Sequence, residues 1–198
     1  EKGSYQVLEH TITAKEAIVA TNSPNLNLIP AHIDLVAIEI ELVDKTHREM
    51  MLRKALDPIK DDYDYIFIDC APSLGLITLN ALTAAHSVII PIQCEYFALE
   101  GLGKLLNTIK SIQKIHNAGL GIEGMLLTMY DSRLRLSNQV VDEVKKHFGN
   151  MVFSTIIQRN VKLGEAPSFG ETIIDYDATS KGASSYLKLA QELINKKK

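Results

Sequence analysis

The sequence predicts an α/β fold, with a mostly parallel sheet flanked by helices. Strand-like apolar runs alternate with helical patterns along the chain, the order that parallel sheets with crossover helices require. Residues 63–75 (Tyr-Asp-Tyr-Ile-Phe-Ile-Asp-Cys-Ala-Pro-Ser-Leu-Gly) hold a continuous apolar run that delivers Asp69 to its end and breaks at Pro72 and Gly75. Continuous rather than alternating apolarity marks a strand buried on both faces. The 198 residues are 46% hydrophobic, enough for one sizeable core. Residues 1–198 therefore read as a single domain.

The elements follow in order. Thr13-Ala14-Lys15-Glu16 is a capping box that opens a short helix. Residues 26–29 form a strand stopped by Pro30. Residues 33–43 are helical, and Asp44 and Thr46 supply a turn and cap before a second helix over 48–56, closed by Pro58. A strand over 65–69 leads to a helix over 74–84. A strand over 87–92, ended by Pro91 and Gln93, precedes a long helix over 100–116 that stops at Asn117 and Gly119. Then come a strand over 122–128 and a helix over 137–148, with Gly149 as its left-handed stop. A strand over 153–157, a helical turn over 161–166 and a final helix over 181–195 complete the chain. No internal repeat or low-complexity linker interrupts this pattern.

The net charge of −3 hides an asymmetry. Residues 1–103 carry 7 Lys and Arg against 15 Asp and Glu, and residues 104–198 carry 14 against 9. A basic half can face an anionic partner, or can reflect scattered surface lysines and the Lys196-Lys197-Lys198 end. Cys70 and Cys94 have no CxxC spacing and read as buried reduced thiols; no His lies near Cys70 to make it a nucleophile. The six histidines show no metal spacing. No secretory signal pattern occurs in these residues, and no apolar run reaches transmembrane length.

Asp69 is the first candidate functional residue. Ligands of open α/β sheets bind outside the carboxyl ends of the strands. A lone acid at such an end is the Walker-B arrangement, which holds Mg²⁺ against nucleotide phosphates. The alternative is an Asp that caps the next helix.

Further segments follow Ile66-Phe67-Ile68-Asp69-Cys70-Ala71-Pro72-Ser73-Leu74-Gly75. They are Thr78-Leu79-Asn80-Ala81-Leu82, then Pro91-Ile92-Gln93-Cys94-Glu95-Tyr96-Phe97-Ala98-Leu99-Glu100-Gly101-Leu102, then Leu127-Thr128-Met129-Tyr130-Asp131. Last comes Arg159-Asn160-Val161-Lys162-Leu163-Gly164-Glu165-Ala166-Pro167-Ser168-Phe169-Gly170. In this order and spacing they closely resemble the ParA/Soj family of chromosome- and plasmid-partitioning ATPases. The likeness covers nearly the whole chain. That family is a deviant-Walker P-loop group related to MinD and to the nitrogenase iron protein.

The resemblance implies a P-loop NTPase-like three-layer sandwich. It also implies that Asp69 contacts Mg²⁺ and water, and that Pro72, Ser73 and Gly75 form a switch loop. The family usually has Pro where Ala71 stands, a departure that removes one backbone restraint. Adenine is expected between two loops, Thr128, Met129 and Tyr130 in one and Gln158, Arg159 and Asn160 in the other. A flat purine needs apolar faces and a few directed hydrogen bonds, which these residues offer. The family usually has Pro at Gln158, so the stacking surface differs there. On residues alone, Tyr130 equally reads as a surface aromatic and Arg159 as a salt-bridge partner. Non-specific DNA binding is expected through Arg133, Arg135 and Lys162, since phosphates call for flexible surface cations rather than a recognition helix. Gln93, Glu95, Tyr96 and Glu100 follow another strand end. They either couple nucleotide state to a dimer contact or, more simply for Glu95 and Glu100, cap a helix.

The family's Lys-Gly-Gly-Val-Gly-Lys-Thr-Thr phosphate loop and its second Asp-x-Asp-Pro segment do not occur in these residues. The nearest match, Ala-Leu-Glu-Gly-Leu-Gly-Lys-Leu over 98–105, has Ala98 for the first Gly and Leu105 for the Mg²⁺-binding Ser/Thr. The expectation is an N-terminally truncated form of the fold. Its intact counterpart would be a cytoplasmic, nucleoid-associated ATPase that dimerises with Mg·ATP, binds DNA and answers to a ParB/Spo0J-type partner, with no membrane role. Two alternatives stand. A MinD-like membrane regulator calls for an amphipathic tail, but Leu187, Leu189, Leu193 and Ile194 read as sheet-packing. A non-catalytic interaction module is the other.

A phosphate loop's backbone amides and Lys supply most of the nucleotide's binding. This chain by itself is therefore predicted to have no measurable ATPase activity and weak ATP affinity. Titration calorimetry with Mg·ATP checks this, and a micromolar Kd contradicts it.

Overall fold

Thr13 begins its helix as the capping box requires. The Glu16 N–H donates to Thr13 Oγ1 at 3.3 Å, and the Thr13 N–H donates to Glu16 Oε2 at 2.9 Å. The computed structural model describes residues 2–70 and 75–196, apart from the side chains of residues 98 and 100. The chain divides into two compact units, Glu1–Ser87 with Thr108–Leu120, and Val88–Asn107 with Gly121–Lys198.

The first unit is mostly helical. It contains α1 (Ser4–Glu9), α2 (Ala14–Ala17), the strands β1 (Val19–Ala20) and β2 (Asn27–Leu28), α3 (Ile38–Glu41), α4 (Met51–Leu56) and α5 (Leu76–Ala84). The helix expected over 33–43 is a 3₁₀ stretch, Ile33–Ala37, running into α3. That over 48–56 is likewise a 3₁₀ turn, Arg48–Met50, running into α4. Val7, Ala14, Ala17 and Ile59 form one buried cluster, and Leu8, Ile38 and Leu42 another. The expected strand over 26–29 is one arm of an exposed antiparallel hairpin, with Val19 opposite Leu28 and Ala20 opposite Asn27.

Residues 65–69 depart from the sequence reading, since they form no strand. A strand exists only within a ladder, and neither described sheet includes these residues. Phe67 is 73% exposed and Tyr65 and Ile66 are also exposed. Apolar continuity therefore did not translate into burial here.

Asn80 ties the helices of this unit together. It is fully buried on α5, accepts from the Leu52 N–H at 3.1 Å, and donates to the carbonyls of Arg48 at 2.8 Å and Leu76 at 3.0 Å.

The second unit holds the parallel part of the fold. The strand β3 (Ser87–Gln93) is followed by α6 (Ala98–Ile115), which crosses between the units, and then by β4 (Gly121–Thr128), paired with β3. Residues 124–127 of β4 are all buried, as an interior strand requires. Beyond it lie α7 (Arg135–Phe148), α8 (Val161–Glu165), α9 (Ile173–Asp177) and α10 (Lys181–Lys196). Gly149 ends α7 with φ 43° and ψ −110°, a positive φ but outside the left-handed helical basin expected for it.

No strand is assigned over 153–157; among the described residues isolated parallel bridges flank it, Met125 of β4 with Val152 and Tyr130, just past β4, with Gln158. The Phe153 N–H reaches the Met125 carbonyl, but the next donor to β4 is Ile157, to the Leu127 carbonyl. The intervening amides of Ser154 and Thr155 donate instead to the Glu192 carboxylate on α10, at 2.7 and 2.9 Å. The ladder breaks because a side chain takes its donors. Close approach is preserved at Gly124, where a methyl group would lie 2.6 Å from the Phe153 ring. On α10, Leu189 is buried and Leu193 packs beside it, but Leu187 and Ile194 are exposed rather than sheet-packed.

Asn80→Leu keeps the branched shape but strands the Leu52 N–H and the Arg48 carbonyl, so it is predicted to cost about 2–4 kcal/mol. Urea unfolding checks this; an unchanged midpoint contradicts it.

Candidate nucleotide-base site

At the end of β4 the Thr128 carbonyl accepts from the Cys94 N–H at 2.9 Å, and its hydroxyl donates to the Ile92 carbonyl at 3.4 Å. Met129 then turns the chain with φ 53°, a left-handed conformation unusual for a residue with a side chain. The turn leaves Met129 exposed and aims the backbone of Tyr130 at the segment 157–159. The Tyr130 N–H donates to the Ile157 carbonyl at 3.1 Å, and the Arg159 N–H donates to the Tyr130 carbonyl at 2.9 Å. The loop 128–130 is thereby set beside the loop 158–160.

Side chains hold these loops. The Tyr130 hydroxyl donates to Asn138 Oδ1 at 2.7 Å, and Asn138 Nδ2 donates to the carbonyls of Ser132 and Leu134. Asn138 escaped the sequence reading, because an Asn one turn into an amphipathic helix gives no signal of its own. Asn160 caps α8, with Oδ1 accepting from the Lys162 N–H at 2.8 Å. The Arg159 guanidinium is bound to the Glu95 carboxylate, 64 positions away. Glu95 is thus an orienting partner for Arg159. Gln93 ends β3, and Tyr96 lies edge-on to Phe97, both rings largely exposed. The side chain of Glu100 lies outside the description.

Two of the cations expected to meet DNA, Arg133 and Lys162, are paired within the chain. Asp131 accepts from the Arg133 N–H and Nε at 3.0 Å and from Nη2 at 2.7 Å. These bonds, the guanidinium first and then the backbone N–H, hold the Asp131 carboxyl down at about 2. Lys162 Nζ donates to Glu165 at 2.8 Å and stands 5.6 Å from the Tyr176 ring centre. That carboxylate raises the Lys162 pKa and is itself lowered by the pairing. Arg135 is exposed at the first position of α7. Exposed pairs of this kind contribute little to stability.

Asp69 belongs to the first unit and is exposed. Its neighbour Cys70 is exposed as a residue, contrary to expectation, although its sulfur lies 3.7 Å from the Ile68 carbonyl. Partial burial of that thiol, then the Asp69 charge, push its pKa up, away from nucleophilic reactivity. Gly75 is the N-cap residue of α5 with extended backbone. Pro72 and Ser73, and with them most of the expected switch loop, lie outside the described residues. Among the described residues, no group of three or more His, Cys, Asp or Glu converges as a metal cage.

Residues 1–122 match a family described as an AAA domain. The chain is 54% identical to the sporulation initiation inhibitor protein Soj of Bacillus subtilis (strain 168), over 98% of this chain and 76% of that protein. It is 50% identical to the chromosome partitioning protein ParA of Myxococcus xanthus (strain DK1622), over 97% of this chain and 68% of that protein. The chain belongs to the ParA/Soj family of partitioning ATPases. Its fold is that of P-loop NTPases of this group. A crystal structure of cobyrinic acid a,c-diamide synthase from Mycobacterium smegmatis superimposes with a TM-score of 0.82 at 37% identity, covering 97% of this chain and 71% of that one. The same protein with bound ADP and magnesium matches at a TM-score of 0.74 and 40% identity, over 80% of this chain. This chain spans 64% of that ADP-bound chain.

Because the Asp131 pKa is depressed on folding, its pairing stabilises above the ordinary carboxylate pKa of about 4 and is lost as pH falls through its folded value. Carboxyl-carbon NMR is predicted to place the Asp131 midpoint at about 2. Arg133→Gln is predicted to return it toward the ordinary value, and an unmoved midpoint contradicts that assignment.

Proposed function

We propose that this chain serves a DNA-partitioning ATPase through the loops 128–130 and 158–160, which receive the adenine of ATP. The reading treats residues 1–198 as part of one ATPase domain, and its strongest support is the Tyr130–Gln158 bridge, which unites two loops that family resemblance selects independently. The residues fit a purine. Met129 offers an exposed thioether face, Arg159 a planar guanidinium oriented by Glu95, and Gln158 and Asn160 offer amides for directed bonds.

Asp69 is the residue proposed to hold Mg²⁺. A single carboxylate fits that ion, which takes one or two together with waters and phosphate oxygens. When bound, the ion neutralises charge on the phosphates. The chain's own residues bind and orient: Glu95 fixes Arg159, and Asn138 fixes Tyr130 and the turn at 131–134.

Arg133, Arg135 and Lys162 are proposed to bind DNA phosphates without reading sequence, the first and last by exchanging Asp131 and Glu165 for the nucleic acid. ATP-dependent homodimerisation, a ParB/Spo0J-type partner and association with the nucleoid complete the proposal. No helix of the described residues is long and apolar enough to cross a membrane.

Methyl NMR of Met129 tests the base site on this chain. Millimolar ADP is expected to shift the Met129 methyl and Tyr130 signals, and Arg159→Ala is expected to weaken that response about fivefold or more, or roughly 1 kcal/mol. Shifts confined to other regions, or a response untouched by Arg159→Ala, contradict the assignment.

A further inference from the structure

The segment that returns beside β4 carries one residue more than a regular ladder holds. Met125 and Val152 are 27 positions apart where they bridge, and Tyr130 and Gln158 are 28 apart. A regular parallel ladder keeps that separation constant. The excess arises between two bonds: the Phe153 N–H donates to the Met125 carbonyl at 3.0 Å, and the Ile157 N–H donates to the Leu127 carbonyl at 2.9 Å. Four steps of the returning segment thus span two of β4. The left-handed turn at Met129 takes back one step on the other side. A regular ladder continued from Met125 and Val152 would set Ile157 opposite Tyr130; the bulge sets Gln158 there.

One carboxylate holds the bulge. Consecutive amides of a regular strand point to opposite sides. Those of Ser154 and Thr155 converge instead, the first donating to Glu192 Oε1 at 2.7 Å and the second to Oε2 at 2.9 Å. A carboxylate offers two accepting oxygens side by side, where an amide side chain offers one. The helix that carries it is fixed on the same face. Leu189 is buried with Phe153 and Ile157, and Lys196 donates to the Glu123 carbonyl at 2.9 Å. Spacings of three and four put residues 189, 192 and 196 on one side of α10. The carboxylate is therefore presented to the bulge from a helix anchored both to β4 and to the returning segment.

We propose that Glu192 is a positioning residue for the loop 158–160: by accepting the Ser154 and Thr155 amides it holds the extra residue, and so sets Gln158 rather than Ile157 opposite Tyr130. It acts through the backbone and touches no ligand itself. With this offset Ile157 stays inside, 3% exposed, and the polar run of Gln158, Arg159 and Asn160 begins at Tyr130. A slip of one residue would reverse the sides to which these residues project. The consequence for adenine rests on the reading of the two loops as the base site; the setting of the register does not.

NMR of the ligand-free chain tests the register. In Glu192→Ala the nuclear Overhauser contacts between Tyr130 and Gln158 are expected to vanish, while those between Met125 and Val152, before the bulge, persist. Glu192→Gln keeps one accepting oxygen and is expected to weaken the Tyr130–Gln158 contacts in part. Gln191→Ala, at the exposed neighbouring position, is expected to leave them whole. Circular dichroism confirms folding, and Glu192→Gln carries the test if Glu192→Ala fails it. With ADP added, Glu192→Ala is expected to weaken the Met129 methyl response about fivefold or more, and Gln191→Ala to change it by less than about twofold. Undiminished Tyr130–Gln158 contacts in the folded variant overturn the proposal. So does equal loss of the contacts before and after the bulge, since Glu192 would then only pack the helix on the sheet. An ADP response that survives loss of the Tyr130–Gln158 contacts overturns the link from register to base. Contacts that depend on Glu192 in a chain whose Met129 ignores ADP support the positioning role and contradict the base site instead.

Discussion

Tyr130 gives its N–H to Ile157 and takes one from Arg159, and the candidate base site depends on that reciprocal exchange. The two loops are about 30 residues apart in sequence, separated by the whole of α7. Closing such a loop costs conformational entropy, which needs burial nearby to offset it. That burial is the cluster of Leu126, Phe153, Ile157 and Leu189, which includes residues of β4, the returning segment and α10. Glu192 and Lys196 on α10 reinforce it: the former takes the Ser154 and Thr155 amides, and the latter bonds the Glu123 carbonyl and lies 4.0 Å from the Phe153 ring centre. The final helix thus holds the backbone that presents Gln158, Arg159 and Asn160.

Around these loops each proposed ligand-binding cation is prepaid by a carboxylate or exposed at a helix start. Arg159 has Glu95, Arg133 has Asp131, Lys162 has Glu165, and Arg135 opens α7. The pairs at Arg133 and Lys162 are exposed and local, within two and three residues, so they hold the cations near the surface at little energetic consequence. The Arg159–Glu95 pair differs because it joins distant segments. It ties the loop after β3 to the loop after residue 157.

Local chemistry was legible in the sequence, and non-local pairing was not. The Thr13–Glu16 capping box, the long helix near residues 100–116 and the buried strand near 122–128 stand close to where spacing and composition put them. Residues 65–69 look more strand-like than any other stretch yet form no strand, because a ladder depends on a neighbour rather than on apolarity. The segment 153–157 misses regular pairing for a different reason, the Glu192 side chain on a helix, 37 residues beyond Thr155. Within the site, the resemblance selected the six loop residues that the structure brings together. It did not reveal Asn138 or the pairing of Glu95, which act through contacts that no local pattern encodes.

Native-state amide exchange tests the central claim, that the loops after β4 and after residue 157 form one hydrogen-bonded unit. The account predicts that the Tyr130 and Arg159 amides exchange slowly and with matching protection, and that both lose it together when Glu192→Ala frees the segment behind them. Fast exchange at either amide in the unmodified chain, or protection of one without the other, would contradict it.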